Sequence, residues 1–268
     1  MTTASIVTYR TPDSDLTTAL RCILADGVDK VYVVDNASEE RVRGIAESFS
    51  DVVYIPNANT GFGAGHNIAI REASLSGARY HLVANADTYW KPGVVSTLVS
   101  VMDTNADVAL ITPKVFYPDG RLQYTAKMCP TPLDLIFKRF LPPSLTRRRM
   151  RRFTLAFTGY DRVMDVPYMH GCFMLFRVAP LVEIGMFDER FFMYPEDIDI
   201  TRRLHEKYRT LFYPGVSIVH AHAAASRTSL RMFRIHISNM IRYFNKWGWL
   251  NDPLRRAANH RLRRELRR

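Results

Sequence analysis

Five short runs rich in β-branched and aromatic residues punctuate the first 112 residues: SIVTY, KVYVVD, VVYIP, YHLVAN and VALIT. The intervals between them carry helical periodicity, clearest over Asp13–Ala25 and Glu39–Phe49. Pro12 and Asp13 open the first of these helices and Gly27 closes it. Four strand–helix steps in succession predict an α/β fold built on a single, mostly parallel sheet flanked by helices. Ligands of such sheets bind outside the carboxyl ends of the strands. Thr8, Asp35, the glycine-rich stretch NTGFGAGHN and Asp87 all come just after strands, so they should converge on one edge.

That stretch, Asn59 to Asn67, places glycine at 61, 63 and 65. A dinucleotide fingerprint G-x-G-x-x-G counted from Gly61 needs glycine at 66, which is His66; counted from Gly63 it needs glycine at 68, which is Ile68. The first strand, ASIVTYRTP, has no glycine either, so a dehydrogenase of the Rossmann type is excluded. The loop reads instead as a strand-to-helix turn whose small residues admit a ligand, with His66 either facing it or lying on an ordinary helix surface.

With 268 residues, 47% of them apolar, the chain can bury one α/β domain with an appendage. No signal-peptide-like run and no apolar stretch of membrane-spanning length is present, which gives a cytoplasmic expectation. Cys22, Cys129 and Cys172 lack C-x-x-C spacing, supporting neither a zinc site nor a disulfide framework, and read as buried thiols. The net charge of +11 is unevenly placed. Residues 227–268 carry 12 Lys and Arg against Asp252 and Glu265, and 138–152 carry seven more with no acid, so the remaining body is acidic.

Beyond Thr112 the pattern is less regular. KVFYPDGRLQYTA predicts a hairpin turning at Asp119–Gly120, and the Pro- and Arg-rich insertion at 131–153 receives no fixed structure. GCFMLFR then reads as a buried strand, succeeded by a short helix ending near Gly185 and a helix over PEDIDITRRLHEKY.

Three stretches carry candidate chemistry: VVDNAS, VANADTYW and MFDERFFMYPEDIDITRRL. Asp35 and Asp87 each end an apolar strand, where a carboxylate either faces a ligand or closes an Asx turn. Asn85 and Asp87 lie two apart on extended backbone and point the same way, so both can meet one hard cation such as Mg2+ or Mn2+. Glu196 and Asp197 open a helix. Dipole complementation accounts for Glu196, whereas Asp197 beside the apolar FFMY can have its pKa raised toward that of a general base, with Asp199 as the alternative.

Together V-D-N-x-S, N-x-G-F-x-x-G-x-N, N-x-D and F-D-E-R-F-F-x-Y-x-E-D-x-D-x-x-x-R resemble glycosyltransferase family 2, in particular its bacterial rhamnosyltransferase-like branch, over about residues 4–222. The resemblance implies a GT-A fold, a nucleotide-diphosphate sugar donor (dTDP-rhamnose or a UDP-sugar), a divalent metal and an inverting transfer in bacterial surface polysaccharide synthesis. It puts Thr8, Tyr9, Asp35 and Asn36 around the nucleoside, and Asn59, Gly61 and Asn67, with His66 and Asn85, near the donor. Asp87 is the implied metal ligand, with His220 or His222 as a further ligand or as structural histidines, and Asp197 is the implied base. Asn85 stands where the wider family carries aspartate, a departure shared with the rhamnosyltransferase-like branch. The chain accordingly divides into a GT-A domain over 1–226, with a nucleotide-sugar half at 1–112 and an acceptor half at 113–226, and a basic helical extension over 227–268.

In that extension Leu230, Phe233, Ile237, Met240, Ile241, Phe244 and Trp247 form one apolar stripe, with Arg227, Arg231, Arg234, Arg242 and Lys246 on the opposite side. Such a helix either docks on the body or lies on an anionic membrane, where a polyprenyl-diphosphate-linked acceptor is presented. A nucleic-acid-binding tail leaves the acidic body unexplained, so no nucleic acid is expected. A sugar nucleotidyltransferase needs a basic, glycine-rich first loop that SIVTYRTP lacks.

Overall fold

The computed structural model describes residues 1–135, 142–221 and 230–267. Strands β1 (Thr2–Thr8), β2 (Lys30–Asp35), β3 (Val52–Pro56) and β4 (Tyr80–Ala84) pair in parallel in the order β3-β2-β1-β4. Helices α1 (Asp13–Ala25), α2 (Glu40–Glu47) and α3 (Phe62–Leu75) make the crossovers, and α4 (Val94–Thr104) leads into the sixth strand. Because helices cover both faces, β1, β2 and β4 are buried almost throughout, including Thr3, Ser5 and Thr8 of β1.

The second half extends the same sheet. Short β5 (Thr88–Tyr89) lies at its far edge, β6 (Val108–Phe116) turns at Gly120 into β7 (Leu122–Gln123) as expected, and β8 (Ala126–Lys127) comes next. After helix α5 (Pro143–Phe153) come β9 (Met164–Asp165), β10 (Tyr168–Met169), β11 (Phe173–Arg177), α6 (Val178–Glu183), α7 (Glu196–His205) and β12 (Arg209–His220). The main sheet runs β3-β2-β1-β4-β11-β6-β12-β5, while β8 and β10 form a separate antiparallel ribbon. β11 pairs antiparallel with both β4 and β6, so one inverted strand sits inside a sheet that is otherwise parallel except at its margins.

The three glycines of the 59–67 stretch serve the protein's own packing, which corrects the expectation that they leave space for a ligand. A Cβ at Gly61 would collide with the backbone of Phe192, and Gly61 also holds φ at +104°, open to glycine alone at little cost. A Cβ at Gly63 would lie 2.9 Å from Phe187, and one at Gly65 2.9 Å from Val7. Close approach of α3 to β1 and to the 187–192 loop therefore depends on all three.

Part of the insertion expected to lack fixed structure forms α5, whose Arg149 pairs with Asp134. The tail, expected as a separate extension, packs into the body as α8 (Leu230–Trp247) and α9 (Pro253–Glu265). Tyr243, Phe244 and Leu262 join one core cluster with Ile198, Leu204 and Phe212. The expected opposition of stripe and charge does not hold either. Lys246 reaches Asp188 and Asp199 at 2.8 and 2.7 Å and Arg242 donates to the Arg190 carbonyl, while Ile237 and Ile241 stay exposed. Acids on the body draw Lys246 inward, while a backbone carbonyl holds Arg242. Arg227 lies outside the described residues.

Beneath this interface Arg202 of α7 forms a buried ion pair with Asp252, the N-cap of α9, and stacks 3.9 Å from the Trp247 ring centroid. Removing one partner of such a pair strands a buried charge. Asp252→Ala should therefore lose about 3–5 kcal/mol of stability, measured by urea unfolding.

Candidate active site

At the carboxyl ends of β1 and β2, the buried Asp35 carboxylate is engaged by four donors. Thr8 Oγ1 and the Ala37 N–H donate to Oδ1 at 3.0 Å each, and the Glu39 N–H and Tyr54 hydroxyl donate to Oδ2 at 2.6 and 3.2 Å. The Asx-turn alternative is thus realised, and Asp35 frames this corner. Asn36 donates to the Gly61 carbonyl at 3.2 Å and accepts from Asn57 at 2.7 Å, linking the corner to the glycine stretch. Tyr9 and Asn59 are exposed at its rim.

His66 is not on the helix surface: it is fully buried, with Ser5 Oγ 2.7 Å from its Nδ1, and packs edge-on against Phe62. Burial, reinforced by His81, pushes its pKa well below the ordinary value and keeps the ring neutral. Asn67 is buried too. Its amide bonds both the N–H and the carbonyl of Phe187, at 3.0 and 2.9 Å, and also donates to Glu189, so it clamps the loop that precedes α7.

Beyond β4 the Asn85 N–H donates to the Cys172 carbonyl at 3.0 Å, carrying the β4–β11 pairing one step past the strands. Asn85 Nδ2 and Asp87 Oδ1 both lie 3.3 Å from His220 Nε2 at the end of β12. Gln123 donates to the His220 carbonyl at 2.6 Å and turns its Oε1 toward His220 Nδ1 at 3.0 Å. Burial opposes a charge on His220, but the neighbouring Cys172 and Asp87 outweigh it and push the pKa up to about 10. His170, Cys172 and His220 offer donor atoms that all lie within 4.8 Å of one another. His222 lies outside the described residues.

Facing this group across Gly171 is the acidic start of α7. Asp197 Oδ2 accepts the Gly171 N–H at 3.2 Å and Oδ1 accepts the Ile198 N–H at 2.8 Å. Glu196 and Asp197 are both buried, and desolvation raises both pKa values; the adjacent Asp197 raises Glu196 further, to about 8, while Lys127 and backbone N–H groups offset the effect at Asp197. Asp199, the alternative base, is fully buried and engaged by Arg203, Lys246 and the Trp247 indole, and so anchors α8.

The profile of glycosyl transferase family 2 matches residues 3–185. The chain belongs to glycosyl transferase family 2. Among its relatives, the N-acetylglucosaminyl-diphospho-decaprenol L-rhamnosyltransferase of Mycobacterium tuberculosis is 26% identical over 84% of this chain and 78% of its own length. Rhamnosyltransferase WbbL of Escherichia coli K12 is 26% identical over 80% and 81%. The mannosyltransferase PcManGT from Pyrobaculum calidifontis, solved with GDP-Man and Mn2+, superimposes with a TM-score of 0.56 at 18% identity over 96% of this chain and 73% of its own. GalNAc-T7 with UDP, GalNAc and Mn2+ gives a TM-score of 0.62 at 15% identity over 82% of this chain and 43% of that one. The expected GT-A architecture is the one observed.

For this glycosyltransferase, the Asp87 carboxylate beside His220 Nε2 suits a divalent cation, since it joins an oxygen and an imidazole donor at the sheet's carboxyl edge. Sequence reasoning missed Lys127 and Tyr168, which neighbour Asp197 only because β8 pairs with β10. It also missed His170 and Cys172, for which H-x-C spacing before a buried strand was the available signal.

The raised Glu196 pKa makes stability pH-dependent. The folded state holds this proton more tightly than the unfolded chain, so the contribution is complete below the ordinary value of 4.5 and is lost as pH rises to about 8. Glu196→Gln, which cannot ionise, should match the wild type in Tm at pH 5 and exceed it by roughly several °C at pH 9, measured by calorimetry.

Proposed function

We propose that this glycosyltransferase moves L-rhamnose, or another hexose, from dTDP-rhamnose or a UDP-sugar to a saccharide carried on a polyprenyl diphosphate, with inversion at the anomeric carbon. The observation that carries the reading is the placement of the Asp197 carboxyl and the Asp87–His220 pair around one short segment, residues 170–172, so that a proton acceptor and a cation-binding group flank a single locus. The names of both rhamnosyltransferase relatives support the sugar, and that of the Mycobacterium tuberculosis relative supports a lipid-linked acceptor.

Of the two adjacent acids, Asp197 is the base. Its carboxylate is steadied by two backbone N–H groups and by Lys127, whereas Glu196 retains its proton near neutral pH. Asp197 takes the proton of the acceptor hydroxyl as that oxygen attacks the anomeric carbon opposite the departing diphosphate. A divalent cation, Mg2+ or Mn2+ in the simplest case, supplies positive charge to that diphosphate when bound at Asp87.

The membrane face is also part of this proposal, relocated from the α8 stripe. Helices α5 and α9 line a groove of about 730 Å³ that gathers Arg148, Arg152, Arg256 and Arg263, with Leu145 and Leu250 exposed beside it. Burial and the neighbouring Arg152 and Arg267 lower the Arg263 pKa, a sign of crowded positive charge. The two basic segments, far apart in sequence, thus form one face that suits an anionic leaflet, the inner face of the cytoplasmic membrane. Among the described residues no helix is long and apolar enough to cross a bilayer.

Donor hydrolysis and transfer should be assayed with dTDP-rhamnose, UDP-hexoses, UDP-N-acetylhexosamines and GDP-sugars; absence of turnover with all of them refutes the activity. Asp197→Asn should lower kcat by roughly 100-fold or more with donor affinity nearly unchanged, and an equal loss confined to Asp199→Asn would reassign the base. Reversing Arg148, Arg152, Arg256 and Arg263 to Glu should weaken binding to anionic vesicles by roughly 100-fold or more, with hydrolysis in solution preserved.

A further inference from the structure

The groove between α5 and α9 is built more specifically than a charged surface. Arg148 and Arg152 line it from one face of α5, at i,i+4 spacing, and Arg256 and Arg263 line it from one face of α9. Its carboxylate, Asp134, is already taken by Arg149 at 2.7 Å and by the Thr131 N–H and hydroxyl at 2.8 and 2.6 Å. Among the described residues no ion pair reaches Arg148, Arg152, Arg256 or Arg263. Burial, Arg152 and Arg267 all lower the Arg263 pKa, so the groove holds crowded cations without a counter-charge. An anion would relieve that repulsion.

The groove is fastened to the segment that serves Asp197. Cys129, one of its lining residues, has both backbone groups held by Asn259 of α9: its N–H donates to Oδ1 and its carbonyl accepts from Nδ2, each at 2.9 Å. Lys127, the neighbour of Asp197, comes just two residues earlier, so at most about 7 Å of extended backbone separates it from the groove. Every lining residue comes from Met128 onward, whereas the corner at Asp35 is built by Thr8, Ala37, Glu39 and Tyr54. The groove is therefore separate from that corner. Its volume of about 730 Å³ falls within the roughly 300–1,000 Å³ of small-molecule sites.

We propose that this groove is the subsite for the diphosphate of a polyprenyl-diphosphate-linked acceptor, held by Arg148, Arg152, Arg256 and Arg263, with the first isoprene units running out over Leu145 and Leu250. The inference rests on the proposed transfer to such an acceptor and deepens it by locating the charged link of the lipid. Guanidinium forks match phosphate oxygens bidentately, and two helices across one groove supply enough of them for two linked phosphates. Each phosphate of the diester carries one negative charge, so the arginines neutralise it without a metal ion. Sugar and lipid leave from opposite ends of a diphosphate. Held here with its lipid over the two leucines, the acceptor directs its sugar along the Cys129–Lys127 segment toward Asp197.

The test is calorimetric titration of the full chain, in EDTA, with geranyl diphosphate, a prenyl diphosphate short enough to stay in solution. The wild type should bind one equivalent saturably, and geranyl monophosphate roughly 10-fold or more weakly, as expected for lost charge-assisted hydrogen bonds. Joint Arg152→Gln and Arg263→Gln should weaken geranyl diphosphate binding by roughly 100-fold or more. Joint Arg152→Lys and Arg263→Lys, which keeps the charges but not the forks, should weaken it less and serves if the glutamine pair does not fold. Absence of saturable binding in EDTA overturns the subsite, as does equal affinity for the monophosphate or binding that both variant pairs leave unchanged. If phosphatidylglycerol vesicles bind in an arginine-dependent way while geranyl diphosphate does not, the face contacts the leaflet only and the subsite is overturned. Binding that needs Mg2+ and vanishes in Asp87→Ala places the diphosphate at the cation group and overturns it likewise. Donor turnover is read separately: its absence with geranyl diphosphate bound would refute the transferase reading and leave the groove standing.

Discussion

The antiparallel placement of β11 between β4 and β6 is the constraint on which the site depends. In a parallel sheet the functional edge receives the residues just after each strand; an inverted strand delivers the residues just before it. Phe173 pairs with Ala84, and the Asn85 N–H continues that register onto the Cys172 carbonyl. A chain segment from the second half therefore enters a corner otherwise built by the first. Asp197, Asn85 and His220 acquire a common neighbour by this means, although they come from a helix, a loop and a strand end.

Packing then holds that neighbour in place. Three glycines let α3 close on the 187–192 loop, and Asn67 clamps the same loop through both backbone groups of Phe187. From the other side α8 grips it with Arg242 on the Arg190 carbonyl, Asn239 on the Met193 carbonyl and Lys246 on Asp188, whose carboxyl is held well below the usual range by Arg190 and Lys246. The tail is thus a structural brace for the segment that leads into α7.

The sequence disclosed the features that local chemistry determines. The parallel strands, the Gly120 turn and the acidic start of α7 were legible because propensity and turn residues within a few positions specify them. The family motifs carried the GT-A architecture and the candidate residues. Hidden were the features set by distant pairing. Nothing near Lys127 signals its place beside Asp197, which requires β8 to meet β10, and nothing near Asp252 signals Arg202. Lys246 read as solvated because its counter-charges lie some 50 residues upstream, at Asp188 and Asp199. The glycines misled for a related reason, since their missing side chains are matched in part by residues from the opposite half of the chain.

The three-residue step at 170–172 also works as a ruler. Gly171 and Cys172 form the turn between β10 and β11, with Gly171 against Asp197 and with His170 and Cys172 near His220, so the separation between the acidic helix start and the histidine group is set by that turn. A one-residue shift would move Gly171 away from Asp197 and bring a bulkier side chain against it. Loops elsewhere can lengthen or shorten without disturbing that spacing. This segment tolerates substitution in principle but not insertion or deletion, and its length is as much a part of the site as its residues.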